Sequence, residues 1–383
     1  MYAAPAPLAN NDAIGEGRLA RPNALLLAFF GLALLYAFLL ALELLTRSVS
    51  LLAGQSLQTV VAAANAPLVG ISIGLLLTAT VQSSSAVTAL LVALVSAQTL
   101  SLQQAVPIVL GANIGTTFTA LLVSFSHIKS KKEFRKGVGA ALLHNFFNLW
   151  GCLLFYPLEQ GYHVLSRASE ALGQVAAQYL GVGAGAPVGG LITALVGPVA
   201  SRLVGPGKSA WLWAVVALMI LFGCILLFRT VLRILWVRDY ELRLNQTVFS
   251  KPWRSLSLGA GLTAFIHSST VTTTLTVPMA AEGVVSIRKL LPYIIGANIG
   301  TTVTALIAAL GRPGPALALA FSHFLFNLAV GLLVMWTPLL YNGLLLAVRR
   351  TAMVFARQRV LALAYLVLFF FALPLVVIYL SAR

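Results

Sequence analysis

A run of three serines, Ser83 to Ser85, follows Gln82 inside a segment that is otherwise almost entirely apolar. Successive residues on an α-helix point about 100° apart, so three consecutive serines cannot share one face of a helix. A helix that stops at this run removes the conflict, because its broken end offers backbone N–H groups beside the hydroxyls. The residue types therefore predict a broken helix and an anion site without a fixed charge.

The same pattern recurs 185 residues later as His267, Ser268, Ser269 and Thr270. Residues 78–119 align with residues 263–304 without a gap, and 17 of the 42 positions are identical. The chain thus contains two copies of one unit, and we expect the two serine runs to form one site. Serine and threonine also cluster where membrane helices pack closely, but the run is present in both copies, which favours function over packing.

Each copy also contains the peptide Gly-Ala-Asn-Ile-Gly-Thr-Thr, at residues 111–117 and 296–302. The spacing of its glycines indicates close helix packing. Its amide and hydroxyl oxygens, with freed backbone carbonyls, are ligands that a small hard cation such as Na⁺ requires. The candidate ligands are Asn113, Thr116, Thr117 and Thr119 in the first copy and Asn298, Thr301, Thr302 and Thr304 in the second.

A third pair of polar residues is His144 with Asn148 in the first copy and His323 with Asn327 in the second. The histidines could relay protons, but a satisfied packing histidine is the commoner case, and we favour it. Glu43 is one of few acidic residues inside the apolar segments, and we expect it near a membrane interface.

Composition indicates which elements position these residues. The chain is 60% hydrophobic and only 9% charged, whereas a soluble domain carries about 25% charged residues. Several apolar segments are long enough to cross roughly 30 Å of hydrocarbon, where every backbone polar group needs an internal partner. The sequence therefore predicts an all-α polytopic membrane protein. The apolar segments cover about residues 24–46, 105–125, 138–158, 209–232, 289–310, 315–338 and 360–380.

The formal charge of +16 is concentrated in short basic segments at residues 129–136, 229–254 and 349–359. This distribution is typical of cytoplasmic loops and argues against a nucleic-acid partner. Loop 98–104 is uncharged, whereas its counterpart in the second copy contains Arg288 and Lys289. Equivalent loops thus face opposite sides of the membrane, which predicts two inverted-topology repeats. Each repeat then contains a re-entrant helical hairpin, at residues 66–97 and 256–285.

At these paired motifs the chain resembles the type II sodium-dependent phosphate cotransporter family. The hallmark of that family is a Gln-Ser-Ser-Ser motif in each of two inverted repeats, followed by Gly-x-Asn-x-Gly-Thr and accompanied by His-x-x-Phe-Asn. The resemblance extends from about residue 24 to residue 380. The matching positions are 82–85, 111–116 and 144–148 in the first repeat and 267–270, 296–301 and 323–327 in the second.

The resemblance implies sodium-driven uptake of inorganic phosphate, with Na⁺ as coupling ion and no other metal or cofactor. It carries over directly to Gln82, Ser83, Ser84, Ser85, Ser268 and Ser269. With the residue types considered above, the predicted phosphate ligands are Ser83, Ser84, Ser85, Ser268, Ser269 and Thr270. The predicted sodium ligands are Gln82, Ser83, Asn113, Thr116, Thr117, His267, Ser268, Asn298, Thr301 and Thr302.

This chain departs from the family pattern at several positions. His267 stands in place of glutamine and Thr270 in place of serine, so the ligand set of the second motif differs. Electrogenic members have an aspartate where this chain has Asn145, which makes that residue a candidate charge-coupling position. The external loop is short and lacks the cysteines and glycosylation sites of animal members, which points to a bacterial inner-membrane protein.

Two alternatives remain beside phosphate import. One is transport of another oxyanion, or phosphate export. The other is an intramembrane serine hydrolase, although a serine triplet is not how a nucleophile is presented.

The predicted organisation is a disordered cytoplasmic tail (1–23), a first transport repeat (24–158), an external linker (159–208), a second transport repeat (209–338), and a C-terminal amphipathic segment with a final transmembrane helix (339–383).

Cysteine labelling tests the inversion at two equivalent loop positions. In a background without Cys152 and Cys224, we expect Ser101→Cys to react with a membrane-impermeant maleimide from outside and Ser286→Cys from inside. Reaction of both positions from the same side would rule out inverted repeats.

Overall fold

A computed structural model describes residues 24–52, 66–181, 187–204, 209–236 and 249–381. These residues form helices joined by short turns, and no β-strand occurs among them. Seven helical stretches in this part of the chain are long and apolar enough to cross a membrane. The prediction of an all-α polytopic membrane protein is therefore confirmed. The seven stretches are Phe29–Ser48, Leu102–His127, Lys131–Tyr162, Ile287–Ala309, Gly314–Trp336, Pro338–Arg357 and Arg359–Ser381.

The helices in chain order are α1 (Ala24–Leu52), α2 (Pro67–Val81), α3 (Ser84–Ser96), α4 (Leu102–Gly115), α5 (Phe118–Ser124), α6 (Lys131–Tyr162), α7 (Val164–Leu180), α8 (Pro187–Leu203), α9 (Ala210–Trp236), α10 (Pro252–Ile266), α11 (Ser269–Thr274), α12 (Thr276–Ala281), α13 (Ile287–Ala309), α14 (Gly314–Trp336), α15 (Pro338–Arg357), α16 (Arg359–Val367) and α17 (Leu373–Ser381). A 3₁₀ turn follows α5, and a π-helical turn joins α16 to α17. Helix α15, predicted as an amphipathic segment, is itself long and apolar enough to be a candidate span.

Glycines bring two helix pairs into backbone contact, α2 with α4 in the first copy and α10 with α13 in the second. A Cβ atom on Gly74 would lie 1.9 Å from the carbonyl oxygen of Ile108. In the second copy, a Cβ on Gly259 would lie 2.1 Å from the carbonyl oxygen of Tyr293. Lipid supplies no hydrophobic force between helices, so this close approach is what holds each pair together. The packing role predicted for the glycines of the repeated peptide is confirmed, because Gly111 and Gly296 make the same kind of contact.

The two copies pack into each other rather than side by side. Helix α3 of the first copy contacts α13 and α14 of the second, and α6 contacts α12 and α13. Helices α1 and α9, which occupy equivalent positions in the two copies, pack against each other. Fully buried Phe326 of the second copy packs edge-on against Phe155 of the first, with 5.7 Å between the ring centroids. The buried hydrophobic residues of the two copies form one cluster.

Residues 159–208, predicted to be an external linker, contain helices α7 and α8 in their described part. A buried carboxylate caps the start of α7: Glu159 accepts hydrogen bonds from the backbone N–H groups of Leu165 (2.7 Å) and Ser166 (3.3 Å) and from the Ser166 hydroxyl. A carboxylate at a helix N-terminus satisfies otherwise unpaired N–H groups and interacts favourably with the helix dipole. Helix α7 is thereby fixed to the end of α6, and it packs on α14.

An ion pair ties α1 to the turn between α13 and α14. The carboxylate of Glu43 lies 2.8 Å from Arg47 on its own helix and 2.9 Å from the buried Arg312 guanidinium, which also donates to Thr46. Burial lowers the pKa of Arg312, whereas the Glu43 carboxylate acts in the opposite direction. Because removing one member of a buried pair leaves an uncompensated charge, Glu43 and Arg312 depend on each other.

The close helix contacts predict very different effects for two neighbouring glycines of α10. Gly259→Ala places a methyl group against the backbone of α13, and we expect it to destabilise the protein by roughly 1 to 3 kcal/mol or more. Gly261→Ala is the matched control, because a Cβ there meets no atom within 4 Å. Thermal unfolding in detergent should show a lower midpoint for Gly259→Ala and an unchanged or higher one for Gly261→Ala. Equal midpoints would contradict the contact.

Candidate functional site

The first serine run lies at a break between α2 and α3. Gln82, after the end of α2, has left-handed backbone angles (φ 56°, ψ 29°). Ser83 is extended, and its hydroxyl oxygen accepts a hydrogen bond from the N–H of Ala86 at 3.3 Å. Helix α3 begins at Ser84. The break predicted from the serine triplet is therefore present, and Ser83 is the N-cap of the following helix.

The second run has the same local structure. Helix α10 ends at Ile266, and His267 is left-handed (φ 55°, ψ 27°). Ser268 then caps α11 by accepting a hydrogen bond from the N–H of Val271 at 3.3 Å. A left-handed backbone at a residue other than glycine costs of order 1 to 3 kcal/mol and is concentrated at functional sites. Gln98 and His163 have the same conformation, so it does not by itself mark a site, but its occurrence at the equivalent residues Gln82 and His267 shows that both copies break their helices in the same way.

Reciprocal hydrogen bonds join the two breaks. The Ser85 hydroxyl donates to the carbonyl oxygen of His267 at 3.1 Å, and the Thr270 hydroxyl donates to that of Gln82 at 3.4 Å. Ser85 and Thr270 are equivalent residues in the two copies, so each run binds the turn of the other. Thr116 lies between them: its hydroxyl oxygen is 3.3 Å from that of Ser84 and 3.4 Å from that of Thr270. Two runs that are far apart in the sequence thus form one cluster.

This cluster contains hydroxyls and helix N-termini, and no Arg or Lys of the described residues donates a hydrogen bond to it. All six predicted phosphate ligands are buried: Ser83, Ser84, Ser85, Ser268, Ser269 and Thr270. None of the hydrogen bonds observed for them in the described part of the chain involves a charged side chain. Each helix start leaves up to four backbone N–H groups without an intrahelical partner, and the N-cap serine satisfies only one. The arrangement can therefore bind an anion through neutral donors.

The two asparagines of the repeated peptide make a second set of reciprocal contacts. Asn298 in the second copy lies 3.3 Å from the Nε2 atom of His144 in the first, and Asn113 in the first copy lies 3.1 Å from the Nε2 atom of His323 in the second. Each amide nitrogen donates to its own helix, to Val109 at 3.2 Å from Asn113 and to Ile294 at 2.9 Å from Asn298. The Asn oxygens predicted as sodium ligands thus already have a histidine partner across the repeat.

The histidines are only half satisfied. Within the described residues, the Nδ1 atoms of His144 and His323 are buried without a hydrogen-bond partner, and so are the Oδ1 atoms of Asn148 and Asn327. The predicted packing role is met at Nε2 but not at Nδ1. An asparagine oxygen has two lone pairs, so one can accept from histidine while the other remains available to a cation.

The predicted sodium ligands among the threonines differ between the copies. In the first copy the helix is interrupted between α4 and α5 at Thr116 and Thr117, whereas α13 runs without interruption through Thr301 and Thr302. Thr117 and Thr302 donate alike to a carbonyl three residues earlier. Thr301 donates to its own helix, whereas its equivalent Thr116 contacts the serine runs. The last predicted ligand, His267, lies 3.0 Å from Thr304 through Nδ1. The two halves of the site are therefore related but unequal.

Asn145, the candidate charge-coupling residue, lies at the edge of this region. Its amide donates to the Thr117 hydroxyl at 2.8 Å, and its oxygen accepts a hydrogen bond from the Tyr365 hydroxyl at 2.6 Å. Asn145 is fully buried. Sequence reasoning missed Tyr365, because nothing in the apolar final helix distinguishes it. The contact connects that helix to the repeated peptide through one asparagine.

Fold and site define a polytopic helical membrane protein whose duplicated halves form one buried polar cluster. Residues 37–147 and 236–377 match the Na+/Pi-cotransporter family, and the chain belongs to that family. This covers both copies of the repeated unit. The relatives that this chain matches are transport proteins, not enzymes.

Individual relatives agree with this assignment. The chain is 28% identical over 448 positions to the human (Homo sapiens) sodium-dependent phosphate transport protein 2B, covering 91% of this chain and 64% of the relative. It is 27% identical over 428 positions to protein 2A of Mus musculus, covering 90% and 66%. It is 29% identical over 360 positions to protein 2C of Rattus norvegicus, covering 72% and 59%. The chain thus spans less than two thirds of the length of these relatives. No solved structure matches it.

Proposed function

We propose that this protein is a secondary active transporter that imports inorganic phosphate together with sodium ions. The observation that carries the proposal is the contact between the two helix breaks, where hydroxyls from both copies surround one buried region. The relatives named above are sodium-dependent phosphate transport proteins, which supports both the anion and the coupling ion.

Phosphate is held by Ser83, Ser84, Ser85, Ser268, Ser269 and Thr270 in this proposal. The hydroxyl oxygens of Ser83 and Ser268 each accept a backbone N–H, which leaves the hydroxyl protons free to donate to the anion. Ser85 and Thr270 now donate to backbone carbonyls of the opposite turn, so binding would redirect these hydroxyls. Phosphate would thereby replace contacts between the breaks with contacts to itself.

Sodium neutralises the bound anion. Phosphate carries one to two negative charges, and none of the hydrogen bonds described at the serine runs comes from Arg or Lys. Helix N-termini offset part of that charge, and co-bound Na⁺ supplies the rest, so that sodium and phosphate raise each other's affinity by thermodynamic linkage. The proposed sodium ligands are Gln82, Ser83, Asn113, Thr116, Thr117, His267, Ser268, Asn298, Thr301 and Thr302.

The surrounding organisation is part of the proposal. The two copies are inverted repeats with re-entrant hairpins, and the basic loops face the cytoplasm of a bacterial cell, in its inner membrane. Transport of another oxyanion, or export of phosphate, would use the same neutral donors. Measuring which anion crosses the membrane, and in which direction, distinguishes these alternatives from phosphate import. A serine hydrolase is not favoured, because the family consists of transporters.

Removal of single hydroxyls tests the phosphate site. Ser84→Ala and Ser269→Ala each leave a desolvated oxyanion short of one donor, a cost of roughly 1.5 to 3 kcal/mol for a bond to a charged group. We expect the phosphate dissociation constant to rise about tenfold to a hundredfold in each variant. The measurement is binding to purified protein in saturating Na⁺, with sodium-driven uptake of labelled phosphate into proteoliposomes as the activity readout.

Ser96→Ala is the matched control, because Ser96 lies on α3 with Ser84 but at its far end. Its affinity should stay within about twofold of the unmodified protein. Equal losses for Ser96→Ala and Ser84→Ala, or no loss at Ser84 and Ser269, would refute the two-motif site. Uptake that proceeds equally without a Na⁺ gradient would refute the coupling.

Asn145 tests the charge balance of transport. With asparagine at this position, we expect cotransport close to electroneutral, with two Na⁺ for each divalent phosphate. Asn145→Asp adds a carboxylate beside the hydroxyls of Thr117 and Tyr365, and we expect these oxygens to form a third sodium site. The variant should give phosphate-dependent current in voltage-clamped membranes. Large voltage-dependent currents from the unmodified protein would contradict the expectation.

A further inference from the structure

The structure joins two basic segments that lie more than 200 residues apart. A surface cavity of about 380 Å³ is lined by Lys131, Lys132 and Arg135 from the first turns of α6, and by Met353, Ala356 and Arg357 from the end of α15. Four of these six side chains are cationic, and none is acidic. In the sequence the two segments served only as indicators of topology, with no indication that they meet.

The four cations have no ion-pair partner in the part of the chain that the structure describes. The ion pairs among the described residues involve Arg47, Arg312 and His127, and none involves the lysines or arginines of this cavity. Glu133, on the same turn of α6, lies 3.7 Å from His127 and does not line the cavity. Like charges this close repel each other, so an anion that enters the cavity relieves the repulsion.

The position of the cavity indicates the source of that anion. One candidate span begins at Lys131, a second ends at Arg357, and a third begins at Arg359, so the cavity lies at the same end of all three. Ends of spans are located at the boundary between lipid and water. The basic residues place this end on the cytoplasmic side, where the leaflet is rich in anionic lipids.

We propose that this cavity is a binding site for the phosphate group of an anionic glycerophospholipid. Lys131, Lys132, Arg135 and Arg357 contact the phosphate, and Met353 with Ala356 forms an apolar wall against the glycerol region of the lipid. A free phosphate ion offers the same charge but has nothing to place against that wall. The site is separate from the serine runs, and it does not depend on the proposed transport activity.

Lipid titration of the purified full-length chain tests the site. Binding of phosphatidylglycerol and of phosphatidylcholine is measured by native mass spectrometry in buffer without sodium, so that cotransport cannot contribute. We expect phosphatidylglycerol to bind at least about tenfold more tightly. Arg135→Gln with Arg357→Gln removes two of the four cations that contact the lipid phosphate, and should weaken binding of phosphatidylglycerol about tenfold to thirtyfold.

Arg349→Gln with Arg350→Gln is the matched control, because it removes the same charge from exposed positions of α15 outside the cavity. It should change affinity by less than about threefold. A second variant, Arg135→Lys with Arg357→Lys, keeps the charge and should retain binding, which separates loss of the site from loss of folding. Equal weakening by the cavity pair and the control pair, or no preference for phosphatidylglycerol, would overturn the proposal.

Inorganic phosphate, added to the same sodium-free titration, distinguishes the two sources of the anion. A lipid site predicts that millimolar phosphate leaves bound phosphatidylglycerol in place. Displacement that is lost in the Arg135→Gln, Arg357→Gln variant would overturn the lipid assignment, because it would show that a soluble phosphate group is the ligand.

Discussion

A helix that breaks inside a protein interior leaves backbone N–H groups that must find partners, and the rest of this structure is arranged around two such breaks. At each break a left-handed residue redirects the chain, and a serine caps the next helix. One N–H group per break is thereby satisfied, whereas an uninterrupted helix would have satisfied them all. The remaining donors are the groups through which the cluster can bind an anion. Breaking two helices at the same place leaves backbone groups without helical partners, and the same groups are the donors of the proposed phosphate site.

Close helix packing makes the breaks sustainable. The helix before the first break, α2, is held against α4, and the helix before the second break, α10, is held against α13. In both pairs glycines make backbone contacts that leave no room for a methyl group. The helix after each break packs into the opposite copy. Ser85 therefore reaches the carbonyl of His267, and Thr270 reaches that of Gln82. The packed helix before each break and the shared interface after it together fix the direction of the N-termini of α3 and α11. The polar contacts at the centre thus depend on apolar and backbone contacts around them.

The two helix breaks could be predicted from the sequence because their cause lies in adjacent residues. Three adjacent serines cannot share one helix face, and the duplication made the same argument twice. The partners of His144, His323 and Asn145 could not be predicted in this way. Each contacts a residue on another helix, and only packing decides which helix is adjacent. Glu159 is a similar case: its carboxylate caps a helix that begins a few residues later, but the sequence does not indicate the turn that makes this possible. The cavity between α6 and α15 required the same long-range information.

The crossed histidine–asparagine pairs make each half of the chain incomplete without the other. Each unit places its histidine on the asparagine of the other, so a single unit would lack the partner of both side chains. Such a unit could complete these contacts only by associating with a second copy of itself. Joining the two units in one chain makes that association independent of protein concentration. It also allows the two halves to differ, as they do at His267 opposite Gln82 and in the uninterrupted α13.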